Sequence, residues 1–375
     1  MTADPHGVDG GTGGDRTKGG STDADGTDAV GREEGATEEG GTEEGGTEEG
    51  GAKEAATRGR GRLPPDEAFA VLGQETRLDI LRILGDADGE LEFSALFDRV
   101  EYDTSANFSY HLEQLVGHFV ERTEDGYGLR QAGRRVLEAV LSGAVTDAPV
   151  VEPTEIEWPC QHCGASTVEV EYVEEQVGIY CTNCPGQYGG ARAAEDDALP
   201  ADRARIGYVH LPPAGTRDRT AKEVLAAANT WTVMQAQSLH RGVCPRCAAA
   251  VVHDLDACGS HDASEGICDA CDRRFAVASR STCTNCGFEL GGSAIGRLHT
   301  EPDLLGFLFE HDVDPFASDS ASTLEVADFD ETVLATDPPK VRFTFGIGDD
   351  RLELLADDDL DVIEATRRTT TDADD

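Results

Sequence analysis

Apolar positions recur with a helical period in the stretch after residue 62 and alternate in the strand manner further on. From Asp66 a short helix is expected, with Phe69, Val71 and Leu72 as its apolar positions. In Glu75–Leu84, Leu78, Leu81 and Leu84 recur at helical spacing and Ile80 and Ile83 widen the face, so an amphipathic helix is expected. Gly85 and the D-A-D-G run after it end that helix. Phe93 to Val100 makes a third, with Leu96 and Phe97 inward. A turn through Tyr102, Asp103 and Thr104 leads into a fourth, Ser105 to His118, where Phe108, Leu112, Leu115 and Phe119 form one buried stripe. Val120 to Leu129 reads as strand, D-G turn and strand. Gln131 to Leu141 closes the unit with a helix carrying Val136, Leu137, Val140 and Leu141.

Beyond it, Asp147 to Pro159 reads as an acidic, proline-containing linker. Val168 to Val173 and Val177 to Tyr180 then alternate as two strands joined by E-E-Q. Gly207 to Leu211 is a further strand, and Thr220 to His240 a long helix whose apolar face is Val224, Leu225, Ala228, Trp231 and Met234, read as core. Phe275 to Ala278 is expected as a strand and Pro302 to His311 as an amphipathic helix through Leu304, Leu305, Phe307, Leu308 and Phe309. Glu331 to Leu355 alternates around a G-D-D turn, which signals a hairpin. Leu360 to Ile363 is helix-like or extended, before a frayed acidic end. The pattern gives an α+β chain in five parts: a tail (1–62), a helical unit with a hairpin (63–145), a strand-rich part with a helical extension (146–243), a cysteine-rich part (244–298) and a helix plus β-hairpin region (299–375).

The first 62 residues contain no Phe, Trp or Tyr and repeat T-E-E-G-G from Thr37 to Gly51. Such a segment cannot offset the entropy of ordering, so disorder is expected. Arg58, Arg60 and Arg62 end it, either as a flexible basic arm able to reach phosphate or a minor groove, or as the close of a linker.

Charge changes the picture of the setting. Seventy-four Asp and Glu face 31 Lys and Arg, a net of −43, and only Lys18, Lys53, Lys222 and Lys340 are lysines. This balance resembles proteins of extremely halophilic archaea, in whose molar salt the Debye length is ~3 Å or less and acidic self-repulsion is screened. No stretch approaches the ~18 apolar residues of a membrane span and no basic-then-apolar leader opens the chain. A soluble, reduced, cytoplasmic protein is expected.

The cysteines carry the chemistry. Ten of eleven form five C-x-x-C pairs: Cys160/Cys163, Cys181/Cys184, Cys244/Cys247, Cys268/Cys271 and Cys283/Cys286; Cys258 stands three residues before His261. A short turn lets two thiolates face one ion, so twelve soft ligands in six knuckles imply three tetrahedral, structural zinc sites. A disulfide framework is the rival, disfavoured without a secretory context. Cys160/Cys163 and Cys181/Cys184 have zinc-ribbon spacing around the strand pair, with His162 read as a solvated turn residue. Cys181-T-N-C-P-G-Q-Y-G-G190 is echoed by Cys283-T-N-C-G-F-E-L-G-G292. The echo makes Cys283/Cys286 close a second ribbon opened by Cys268/Cys271, leaving Cys244, Cys247, Cys258 and His261 for the third site. A cross-braced pairing is the alternative, and His253 is the alternative to His261.

Helices followed by a hairpin and a closing helix form a winged helix-turn-helix. The run Glu75-T-R-L-D-I-L-R-I-L84 resembles the T-R-L-x-I-L helix of ArsR-type regulators, and Phe108-S-Y-H-L-E-Q-L115 resembles the recognition helix of their archaeal relatives. The resemblance covers about eighty residues. Acidic winged helix followed by zinc ribbons looks like a group of haloarchaeal ArsR-like proteins. It implies a homodimeric transcription regulator that sets this helix into the major groove of double-stranded DNA and its wing against the backbone. Ala106 stands where related helices often have Gly, and the domain lacks the paired thiols by which some ArsR proteins sense metals, so metal-responsive derepression is not carried over. Off the buried stripe lie Ser105, Asn107, Ser109, Tyr110 and Gln114, able to meet bases or phosphate, or, for Ser105 and Asn107, to cap the helix start. His111 lies beside the stripe, as packed residue or contact. Arg122 and Arg130 on the wing are the phosphate candidates. Against DNA stands charge: Pro64 to Gly143 holds seven Arg and no Lys against sixteen acids, a net of −9. The alternative is an interaction factor that docks on a protein of the transcription machinery.

Catalysis is not expected. Twelve ligands for three zincs leave no open position, and no G-x-S-x-G, H-E-x-x-H, Walker loop or dinucleotide fingerprint occurs.

Overall fold

In the computed structural model, residues 63–100, 102, 104–188, 204–316 and 328–369 are described. The tail with its three arginines, Asp103 of the expected turn, and the alanine-rich loop 189–203 lie outside the described residues. What is described is mixed α+β, with several small sheets.

The N-terminal helices follow the pattern: α1 (Pro65–Leu72), α2 (Glu75–Gly85), α3 (Phe93–Arg99) and α4 (Ser105–Leu115). Hairpin β1 (Val120–Arg122) and β2 (Tyr127–Leu129) and helix α5 (Gln131–Leu141) complete the unit. Ile80, Leu81, Leu84, Leu96, Phe108, Leu112 and Leu115 form its core. Three expectations are corrected. Phe69 points out, 74% exposed, and α1 buries none of its residues. Helix α4 stops at Leu115, because Gly117 turns the chain at φ +94°, yet Phe119 still reaches the core from beyond the helix end. On α5 only Leu137 of the four expected positions is fully buried, while Leu141 is 52% exposed. That helix can lie close because Gly133 faces the Phe119 carbonyl, where any side chain would collide.

The second part is a four-stranded antiparallel sheet in the order β3 (Val151–Glu157), β4 (Thr167–Val173), β5 (Gln176–Cys181) and β6 (Ala204–His210). The expected linker 147–159 therefore contributes an edge strand. Pro153 is tolerated because it falls within the register shift between Val151 and Thr154, where no ladder donor is needed. A 3-10 turn, Pro213–Thr216, precedes α6 (Ala221–His240), whose start is a capping box: the Glu223 amide donates to Thr220 Oγ1 at 3.4 Å and the Thr220 amide to Glu223 at 2.8 Å. Its inward face is Val224, Leu225, Ala228, Gln235, Ala236 and Leu239; Trp231 and Met234, expected in the core, are 39% and 61% exposed.

The third part joins a three-stranded sheet, β7 (Val251–Ala257), β8 (Val277–Cys283) and β9 (Glu289–Ser293), to a four-stranded meander, β10 (Asp328–Thr336), β11 (Pro339–Ile347), β12 (Asp350–Ala356) and β13 (Val362–Thr369). Helices α7 (Ile295–Leu298) and α8 (Pro302–Glu310) lie between them in sequence. The expected hairpin is thus the centre of a larger sheet, and the segment around Leu360–Ile363 leads into its last strand. One core runs across residue 298: Val277, Ala294, Ile295 and Leu298 pack with Leu304, Phe307, Phe343, Phe345, Leu352 and Leu354.

The β4–β5 turn places Glu174 and Glu175 at φ +50° and +64°, a conformation suited to Asn-Gly and costly for a side chain with a full Cβ. Replacing the pair by Asn-Gly is expected to stabilise the sheet by about 1 kcal/mol, read as a rise in the thermal unfolding midpoint.

Candidate metal centres and an exposed helix face

All twelve sequence-assigned ligands come together in three groups of four, each with its ligand atoms within 4.8 Å of one another: Cys160, Cys163, Cys181 and Cys184; Cys244, Cys247, Cys283 and Cys286; Cys258, His261, Cys268 and Cys271. The first group is as expected. The other two are not. Their pairing is nested, the first knuckle with the fourth and the second with the third, which replaces both the echo-based and the cross-braced arrangement. The cause is the register of β7 on β8, which runs from Val251 opposite Cys283 to Ala257 opposite Val277. Cys244 and Cys247 just before β7 meet Cys283 and Cys286 at one end of the hairpin. At the other, the Cys258 amide bonds the Ala276 carbonyl at 2.9 Å, closing the loop that holds the remaining four. His253 is no ligand: it lies inside β7 and shares a 2.8 Å hydrogen bond with the Ser281 hydroxyl.

The sulfur spacings fit one ion per group. Cys160–Cys184 and Cys163–Cys181 Sγ atoms are 3.8 and 3.7 Å apart, Cys244–Cys286 and Cys247–Cys283 3.7 and 3.5 Å, and Cys271 Sγ lies 3.4 Å from His261 Nδ1. A regular tetrahedron with ~2.3 Å metal–sulfur bonds has edges of about 3.8 Å. These separations are far beyond a sulfur–sulfur bond, so the disulfide rival is set aside.

Four knuckles share one backbone device. The amides of Cys160, Cys244, Cys268 and Cys283 donate to the carbonyls five residues on, of Ala165, Ala249, Arg273 and Phe288, at 2.8–2.9 Å. The residue four on, Gly164, Ala248, Asp272 or Gly287, has φ between +53° and +70°. This turn aims further amides at sulfur, as Asn285 and Cys286 do at Cys283 at 3.4 Å. Those amides hold the Cys283 thiol down at about 6; a hydrogen bond from Asn183 does the same for Cys163, also about 6. Burial pushes Cys160 up to about 12 and Cys271 to about 11. Each of these sulfurs is ionised when a cation binds, and the charge then has four ligands to share it.

The first and third groups are wired together. Tyr188 and Arg273 form a β-bridge, the Arg274 amide donates to the Gln187 carbonyl at 2.9 Å, and Arg274 Nε to Gly186 at 2.8 Å. His162, expected to be a solvated turn residue, instead lies with its ring 5.7 Å from that of Phe275, and burial lowers its pKa to about 4.

The DNA candidates sit on α4 and the hairpin. Ser105, Asn107, Tyr110 and Gln114 are exposed and Ser109 is half-buried. His111 is a packed residue, its Nε2 2.9 Å from the Tyr102 hydroxyl. The two arginines are partly occupied: Arg130 donates to the Gly117 carbonyl, and Arg122 pairs with Glu113 at 3.9 Å and stands over the Tyr127 ring at 5.6 Å.

A family model described as Domain of unknown function (DUF7351) matches residues 157–362, more than half of the chain, and one described as Domain of unknown function (DUF7347) matches residues 65–140. No curated protein and no solved structure matches it. Among the described residues, no helix is long and apolar enough to cross a membrane.

The nested pairing predicts metal stoichiometry in paired variants. By native mass spectrometry, Cys244→Ser with Cys286→Ser is expected to lose one ion and Cys244→Ser with Cys258→Ser two; the echo-based pairing requires the reverse.

Proposed function

We infer that this chain, which belongs to the DUF7351 family, is a DNA-binding transcription regulator built from an ArsR-like winged helix-turn-helix and three structural zinc sites. The observation that carries the reading is the outer face of α4: Ser105, Asn107, Tyr110 and Gln114 lie exposed on a helix whose opposite face is core, beside a hairpin that serves as the wing. Asn107 and Gln114 have the side-chain amides that pair with adenine edges, while Ser105, Ser109 and Tyr110 supply hydroxyls for bases or phosphate. The wing contributes Arg122, which must exchange its exposed partner Glu113 for phosphate. Arg130 holds the α4–wing corner instead and acts by positioning. Zinc fits the tetrads because a closed shell of four S or N donors leaves no position for substrate, and the metal then supplies folding energy that such small sheets lack. The protein works as a homodimer on double-stranded DNA in the high salt that its surface suits, where counterion release is weak and base contacts carry the affinity.

A second reading is favoured by charge. The helical unit carries a net of −9 and both wing arginines have partners within the chain. Under that reading it is a docking module for a protein of the transcription machinery.

Fluorescence anisotropy of the zinc-loaded chain on tiles of its own promoter, in ~2–3 M KCl, separates the two. Saturable binding is expected, lost with a shuffled duplex and reduced at least tenfold by the triple variant Asn107→Ala, Ser109→Ala, Tyr110→Ala. Absence of binding on every tile, with zinc content and helicity intact, overturns the regulator reading in favour of the docking module.

A further inference from the structure

Between the first sheet, helix α6 and the β8–β9–α7 segment lies a cavity of about 360 Å³, within the range that holds a small organic molecule. Its walls have three properties. Four aromatic residues line it: Trp158, Tyr188, Tyr208 and Phe316. Glycine thins it, since Gly207 and Gly296 both line the space and a Cβ added to either would meet nothing within 4 Å. The third property concerns charge. In a chain where 74 of 375 residues are Asp or Glu, no carboxylate lines this cavity among the described residues. Its polar lining is hydroxyls, side-chain amides, two histidines and one arginine, Arg297. His240 shares a 3.1 Å hydrogen bond with Thr300, and burial lowers His240 to about 3 and His299 to about 4, so both imidazoles are neutral. Among the described lining residues Arg297 therefore carries the only charge. Its side chain is 10% exposed; it pairs at 3.4 Å with Asp361, a carboxylate largely in solvent, and Asp359 and Asp357 of the same loop also act on it. A second buried guanidinium, Arg205, stands behind the aromatic wall, 5.4 Å from the rings of both Tyr188 and Tyr208.

An apolar space with a positive group and no acid among its described lining residues disfavours cations, because a desolvated cation would find no counter-charge there. It receives an anion with an apolar body, for the same reason in reverse. We propose that this cavity is a binding site for a small ring-bearing carboxylate, whose ring lies against Tyr188, Tyr208 and Trp158 and whose carboxylate pairs with Arg297. The site lies near two metal groups in the chain: Gln161 follows Cys160 of the first, Gln187 comes three residues after Cys184, and Ser281 comes two before Cys283 of the second. The site goes beyond the DNA-binding reading and stands without it, because binding is measured on the protein alone.

Isothermal titration of the metal-loaded full chain with 2-naphthoate, 2-naphthylmethanol and 2-naphthylmethylamine tests it, since the three share a ring system and differ in charge. Saturable 1:1 binding of 2-naphthoate is expected, at least tenfold tighter than the alcohol, with no measurable binding of the amine. Gly207→Leu and Gly296→Leu fill the space and are expected to weaken 2-naphthoate at least tenfold while metal content and circular dichroism are kept. Arg297→Gln is expected to bring 2-naphthoate to the alcohol's affinity and leave the alcohol unchanged. Absence of saturable binding of any of the three to the wild-type chain overturns the proposal. So does tightest binding of the amine, or unchanged 2-naphthoate binding in a folded, metal-loaded leucine variant.

Discussion

The register between β7 and β8 governs the cysteine-rich half of this protein. Seven consecutive pairs, from Val251 opposite Cys283 to Ala257 opposite Val277, decide which knuckles share a metal group. A slip of one residue would turn each side chain to the opposite face and take Cys283 away from Cys247. The same hairpin gives Val277 to the core shared with the C-terminal meander, so the metal groups and the apolar packing constrain one another. Glu331 of β10 reinforces the junction by accepting from the Val277 amide at 3.1 Å; burial pushes its carboxyl up to about 8.

The helical unit is joined to this framework at few points. The Ala214 amide donates to the Ser142 carbonyl at 2.9 Å just past α5, and Arg217 reaches back to the Leu141 carbonyl at 3.1 Å and to Asp147 at 2.7 Å. That Arg217–Asp147 hydrogen bond holds the Asp147 carboxyl below its usual range. These are polar, partly exposed contacts rather than a shared apolar core.

Much of this was legible in the sequence, and the parts that were not have identifiable causes. Helices α2 to α5, the β1–β2 hairpin and the twelve residues that gather in the three groups follow from periodicity and knuckle spacing. The pairing of the last eight ligands did not, because C-x-x-C spacing is the same for any partner and only β7 could decide it. That strand was hidden: in Val251-V-H-D-L-D-A257 the inward positions are Val251, His253, Leu255 and Ala257, so a histidine and an alanine take two of the four and weaken the alternation. Strand β3 was hidden by Pro153, which reads as a linker signal unless the bulge that excuses it is known. Trp231 and Met234 were misplaced because the inward face of α6 follows Thr232, Gln235 and Leu239, one step round the helix. A buried glutamine outranks a surface methionine there for reasons of position, not hydropathy. The cavity leaves no trace in local pattern, since its walls come from segments far apart in the chain.

Nesting also imposes an order on assembly. The inner group spans residues 258 to 271, whereas the outer one must join 244 and 247 to 283 and 286. The shorter loop costs less entropy to close and its four ligands are all present earlier as the chain is made. Once shut, it fixes the far end of the hairpin and shortens the effective loop that the outer ligands have to close. Until then, Cys244 and Cys247 are two thiols waiting for partners almost forty residues away. Loop length thus favours closing the inner group first, and the outer group then has less chain left to order.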